Sequence, residues 1–277
     1  MLDGVFRQSP SFAGALRQRL ALRAAAAAGK IPRLREDEGA LRDAAHLALS
    51  EDPGPAGRLH RLWRSLAGKG ARLDASRISE ALRLLDAPAP DAPGALVGEL
   101  RDLTKGPADP VTLAATAAAR AFALGKDPEV ENFALWTADL VLAIRLGWER
   151  PAPLLMTKIL TASLPRGPGA ARPRPYDADW PHAVASAYAL AVADAHALAG
   201  ELLRKSEKLL AVEPKLRAKA ASRVVELLLD DDCIAPSRAA KLPGLSDCAA
   251  RRLFDRLVEL GAVREVSGRP SFRLYGL

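Results

Sequence analysis

Ser246-Asp-Cys-Ala-Ala-Arg-Arg-Leu-Phe-Asp-Arg-Leu-Val-Glu-Leu260, stopped by Gly261 and followed by Ala262-Val-Arg-Glu-Val266, decides how this chain folds. Ala250, Leu253, Phe254, Leu257 and Leu260 recur at three- and four-residue spacing, which gives a helix with one apolar face. Ser246 and Asp247 are suited to cap its start, and glycine at 261 is suited to end it. Two strand-like runs follow, Val263 to Val266 and Ser271 to Leu274, joined through Ser267-Gly268. Phe272 and Leu274 alternate with Arg273 and Tyr275, as a one-sided strand requires, and Pro270 suits the start of an edge strand. Upstream lie a helical run from Lys215 to Leu229, then Ile234-Ala235-Pro236, a short helical piece from Ser237 to Leu242, and a Pro243-Gly244 turn. Three helices and a hairpin in that order read as a winged helix-turn-helix, a shape that commonly places its last helix in a DNA groove.

Arg251, Arg252 and Arg256 fall off the apolar face of the Ser246 helix, with Arg252 and Arg256 one turn apart. The hairpin adds Arg264, Arg269 and Arg273. Long cationic donors opposite a buried face are what contact with phosphates and guanine edges requires. These six arginines are therefore the expected DNA-contacting residues. From Pro214 onward there are twelve Lys/Arg against eight Asp/Glu, so this stretch holds most of the net charge of +7. Asp255 and Glu259 stand one turn after Arg251 and Arg256 and neutralise part of it.

Heavy use of alanine and only 5% aromatic residues favour closely packed helices over sheets. The basic balance is compatible with an acidic partner. Cys233 and Cys248 lack both a Cys-x-x-Cys pair and a histidine at ligand spacing, so no zinc site is expected. Two lone thiols fit a reducing cytoplasm. The first residues carry no basic-then-apolar leader, and no run of eighteen apolar residues suggests a membrane span. No phosphate-binding loop, dinucleotide glycine motif or nucleophile elbow is present, so neither a cofactor nor an enzymatic activity is expected.

Almost everything before residue 214 scans with helical period. Helices are expected over Phe12–Ala28, Glu38–Leu49, Ala56–Leu66, from Asp74 as cap to Leu85, and over Val111–Leu124, Val130–Leu146, Pro151–Leu164 and Pro181–Leu210. Residues 165–175, rich in Pro and Gly, read as a flexible loop. The expected organisation is mainly α: an Ala-rich helical domain over 1–213 and a winged helix over 214–277. Arg35-Glu-Asp-Glu38 with Arg42, Asp43 and His46 reads as an acidic helix start with an i,i+4 ion pair; a metal or acid/base site would need partners from elsewhere, and Arg35 or Arg42 bridging helices through carboxylates is the intermediate reading. His60 reads as a boundary residue. Tyr176, Asp177, Asp179, Trp180 and His182 read as caps and staples for the long helix, too far from His196 to share a metal with it.

The run from Leu245 to Tyr275 resembles the C-terminal winged helix of Fic-type proteins, although the Fic motif H-P-F-x-D/E-G-N-G-R is absent and AMP transfer does not carry over. Together with Arg35-Glu-Asp-Glu-Gly-Ala-Leu-Arg-Asp-Ala44, Asp52-Pro-Gly-Pro-Ala-Gly-Arg58 and Pro214-Lys-Leu-Arg-Ala-Lys219, it also resembles an uncharacterised bacterial family, domain of unknown function 1403. That resemblance implies an architecture and no activity. The expectation is a cytoplasmic protein associated with double-stranded DNA, a transcriptional regulator or a replicon or chromosome maintenance factor, with the helical domain serving self-association or partner binding. Two alternatives stand beside it. One is an interaction scaffold whose winged helix docks a protein; the other is a helical enzyme of unrecognised type.

Overall fold

The computed structural model describes residues 2–47, 52–88, 93–164, 172–216, 220–267 and 272–277. Its helices are α1 Leu2–Gln8, α2 Ala13–Gly29, α3 Glu38–Leu47, α4 Gly54–Gly68, α5 Ala75–Leu85, α6 Pro93–Lys105 and α7 Pro110–Phe122. They continue with α8 Pro128–Leu146, α9 Leu155–Lys158, α10 Trp180–Val212, α11 Ala221–Asp230, α12 Pro236–Ala239 and α13 Asp247–Glu259. Two short strands, β1 Arg264–Glu265 and β2 Tyr275–Gly276, pair antiparallel near the C-terminus. Helix starts follow the side chains available. Asp74 accepts the Arg77 N–H at 2.9 Å, and Asp109 accepts from Val111 and Thr112 at 3.0 Å. Gly147 ends α8 in the left-handed region (φ 69°), where a β-carbon would be strained.

At the centre lies α8, buried on every side from Val130 to Ala143. Alanines Ala114, Ala115, Ala117, Ala118 and Ala121 of α7 let that helix press close against it. Burial on all sides takes polar side chains inside too. The Asp139 carboxylate accepts the backbone N–H groups of Leu154 and Leu155 at 2.9 and 3.1 Å and the Tyr188 hydroxyl at 3.0 Å. Glu131 is held by Arg172 and Arg174. A second packing axis is α2, which meets α3, α4, α9, α10 and α11.

α10 is 33 residues long. By length and composition it could cross a membrane, but 44% of its most apolar window is buried inside the protein. One stripe, including Val184, Tyr188, Ala191, Ala195 and Leu202, packs against α7, α9 and α2. Its first turn is fixed by Trp180, whose indole N–H donates to the Ala115 carbonyl at 3.0 Å.

Several expectations shift. The helix expected over Pro151–Leu164 is reduced to the single turn of α9. Ala152 precedes Pro153 and is turned away from helical geometry, and Asp139 then takes the first free N–H groups. α1 and α6 add helices where none was expected. The helix expected from Lys215 is a 3₁₀ turn over Glu213–Lys215 followed by α11, with residues 217–219 between them outside the described set. The second strand lies at Tyr275–Gly276 and not within 271–274. Leu274 and Tyr275 are both buried because each face is covered: Tyr275 stacks on Phe254 of α13, and Leu274 packs with Cys233 and Ala235. A strand covered on both faces has no solvent side, so alternation does not mark it. Residues 165–171 of the expected flexible loop are outside the described set.

Candidate nucleic-acid interface

α13 begins at Ser246, whose hydroxyl accepts the Ala249 N–H at 3.3 Å. Its buried side carries Ala250, Leu253, Phe254 and Leu257, and the Phe254 ring stacks on Tyr275 with centroids 4.7 Å apart. That contact ties the helix to the hairpin. The opposite side turns Arg251, Arg252, Asp255, Arg256 and Glu259 to solvent.

Arg252 and Arg256 open onto one cleft of about 550 Å³, shared with Lys215, Leu216, Ser246, Cys248, Ala249 and Leu253. The rim is cationic, and the floor is apolar. Lys215 comes from the 3₁₀ turn that closes α10, so the cleft lies between the start of the C-terminal segment and α13. Arg251 is exposed on the same helix, one residue around from the cleft.

The hairpin arginines divide. Arg264 pairs across the ladder with Gly276, and Glu265 with Tyr275. Side chains alternate along a strand, so Arg264 points to the opposite face from Arg273. Arg264 is close enough to Glu201 of α10 to help hold that carboxyl below the usual range, after Lys205, whose hydrogen bond is the largest cause. Arg273 lies 4.0 Å from Asp255 and 3.7 Å from Glu265. Arg256 meets Glu259 at 2.9 Å. Arg269 lies outside the described residues. Of the five described arginines, Arg251, Arg252 and Arg256 stand together on α13, while Arg264 and Arg273 occupy separate faces of the hairpin.

Below the interface is a set of side chains that helical periodicity did not single out. α11 ends at Asp230 and is followed by Asp231 and Asp232. The Asp231 carboxylate accepts a two-pronged pair from Arg64 of α4, 2.9 Å at each oxygen, and a further bond from Arg238 of α12. Asp232 is held by Arg19 of α2 and by Arg42 of α3 at 2.7 Å. Burial by itself raises the Asp231 carboxyl, but the Arg64 and Arg238 charges and bonds outweigh it and bring it to about 2. Asp232 moves the same way, burial opposing and Arg19 with Arg42 prevailing. Arg42 thus bridges helices through a carboxylate. Next to this cluster, burial drives the His60 imidazole down to about 3, so it is neutral in the fold at neutral pH, and burial lowers His46 as well. The sequence signals are the run of three aspartates and Arg42, and the four arginine partners are spread from residue 19 to residue 238.

Among the described residues no group of three or more His, Cys, Asp or Glu is placed to hold a metal ion. His182 and His196 both lie on the solvent side of α10. Cys248 is exposed on the cleft and Cys233 is buried, where burial raises its thiol well above the ordinary value. No curated protein matches this chain. Residues 1–277 match the family model described as a protein of unknown function, DUF1403. From its first residue to its last, the chain belongs to the DUF1403 family.

Proposed function

We propose that residues 214–277 form a winged helix that docks on double-stranded DNA, with α13 as the helix that enters the groove. The observation that carries this reading is the cleft rimmed by Lys215, Arg252 and Arg256 on the solvent side of α13. The element order supports it as well: α11, the Ile234 bridge, α12, α13, then β1 and β2 with β2 in the middle. Arg251, Arg252 and Arg256 supply the groove contacts, and Arg273 a phosphate contact from the hairpin. Arg264 belongs to this surface less, since it leans toward α10. A protein of this kind acts in the cytoplasm as a regulator or as a maintenance factor for a replicon or chromosome.

Binding of the full chain to random-sequence duplex DNA, followed by fluorescence anisotropy across a salt series, tests the reading. Phosphate contacts make affinity fall steeply with salt, by about one unit of log–log slope per contact. Arg252→Ala with Arg256→Ala should weaken binding at least about tenfold and reduce the slope by about two. Binding unchanged in this pair removes α13 from the interface. A second reading, in which the segment docks a protein, draws on Val258 and Phe272, which are 40% and 52% exposed in it. Absence of DNA binding at low salt, with loss of a protein partner on Phe272→Ser, selects that reading.

A further inference from the structure

Four of the seven large apolar side chains that stand exposed among the described residues lie on one helix, α10: Leu190, Val192, Leu203 and Leu210. Between them the outward face is lined by Ala185, Ala189 and Ala193, also exposed. Ser186, half-buried, and His196 are the polar residues among them, and the nearest charges are already paired, Asp194 with Lys158 and Glu201 with Lys205. Uncharged from Ala185 to Leu203, this face runs about 27 Å. Contiguous apolar surface of that extent marks an interaction site.

Charge at its two ends indicates the occupant. Asp179 stands exposed at the start of α10; near its end Arg204, Glu207 and Lys208 stand exposed, Glu207 toward the opposite edge of the face and the Lys208 ammonium beside Gly261. Asp179 is fourteen residues before Ala193 and Lys208 fifteen after it, about 21 and about 22 Å along the axis. At 3.6 residues per turn, all three fall on the same edge of the outward face. A second α10 laid antiparallel across Ala193 therefore brings its own Arg204 and Lys208 to Asp179, twice, once at each end. The alanine line allows the backbones to approach, while Leu190, Val192 and Leu203 pack along its flanks. A lipid surface fits less well, because helices that lie on membranes carry cationic rims, and here one end is acidic.

We infer that this chain forms a two-fold homodimer through the outward face of α10, the two helices antiparallel and crossing near Ala193. Such an interface is isologous, each end using the same residues. One helix seam is smaller than the roughly 1,600 Å² of a standard interface, so the expected dissociation constant is on the order of micromolar.

Sedimentation velocity of the full chain over a concentration series around that value tests it. The expected result is a monomer–dimer equilibrium that Ala193→Glu weakens at least about tenfold, or two decimal logarithms of affinity when Leu203→Glu is added. Asp179→Lys should weaken it, and adding Arg204→Glu with Lys208→Glu should restore it. All five positions face solvent, and circular dichroism confirms that the variants fold. A monomer at every concentration overturns the inference, as does a dimer indifferent to Ala193→Glu. Vesicles of phosphatidylcholine with phosphatidylglycerol supply the other arm. Co-sedimentation of a monomeric chain with them, lost in Ala193→Glu, assigns the face to lipid and overturns the dimer.

Discussion

At Asp139, burial and hydrogen bonding oppose each other. Burial pushes its carboxyl up to about 7, although two backbone N–H groups and the Tyr188 hydroxyl all favour the ionised form. The folded state therefore holds a proton that the unfolded state, with an ordinary carboxyl near 3.8, releases. Stability from this group is complete below about 3.8 and is lost as pH rises to about 7. Asp139→Asn should flatten that decline in urea midpoints measured across this range; an unaltered slope would show that Asp139 is ionised in the fold. Asp231 works in the opposite sense. Its folded value of about 2 lies below the ordinary 3.8, so its contribution is present at neutral pH and disappears as pH falls through about 2. Asp231→Asn leaves the Arg64 fork without its anion. Breaking a buried pair on one side costs about 3–5 kcal/mol, to be read from urea unfolding. A loss below about 1 kcal/mol would mean that solvent already screens the pair.

Among the elements, α13 and its turns depend on two small features. The Ser246 hydroxyl satisfies one of the first N–H groups of the helix, so Ser246→Ala should cost about 1 kcal/mol. Gly261 turns the chain with φ 62°, and a β-carbon there would lie 2.8 Å from the Lys208 ammonium. Gly261→Ala should therefore destabilise the fold by more than the cap change, since left-handed backbone costs about 1 kcal/mol or more for an L-residue before the lysine moves. Thermal unfolding of the two variants in parallel gives the order. Equal midpoints would show that the turn relaxes freely. α9 illustrates the converse: apolar spacing over Pro151–Leu164 looked helical, but two prolines and a buried acceptor from α8 allowed one turn. Local pattern proposes a helix, and competition for its first N–H groups decides its length.

Across the whole molecule, the apolar core runs without a break from α1 to Leu277. The region after residue 214 meets the rest through α11 and the aspartates, not through a linker. Gly14 of α2 has its α-carbon so near Asp230 that a β-carbon would fall 2.5 Å from the Asp230 Cα, which only backbone-to-backbone packing produces. Arg19, Arg42 and Arg64 reach across the same join to Asp231 and Asp232. Calorimetry of the full chain should accordingly show one cooperative transition. A chain ending at residue 213 should lose it and bind a hydrophobic dye, because Arg19, Arg42 and Arg64 then lose their carboxylate partners and the α2 surface is uncovered. Two resolved transitions in the intact protein would show that the join is weak.

Helical periodicity alone determined the existence of most helices, the burial of Ala250, Leu253, Phe254 and Leu257, the caps at Asp74 and Ser246, and the three exposed arginines of α13. Each follows from i, i+3 and i+4 spacing or from a side chain beside its own helix start, both local properties of the chain. Only tertiary structure decided which arginines share a surface, why Leu274 and Tyr275 are both buried, and where Asp231 and Asp232 find their partners. Those outcomes depend on which faces meet across separations of up to 213 residues, as between Arg19 and Asp232. Periodicity says which face of an element is apolar; it carries no information on what that face, or the charge beside it, will touch.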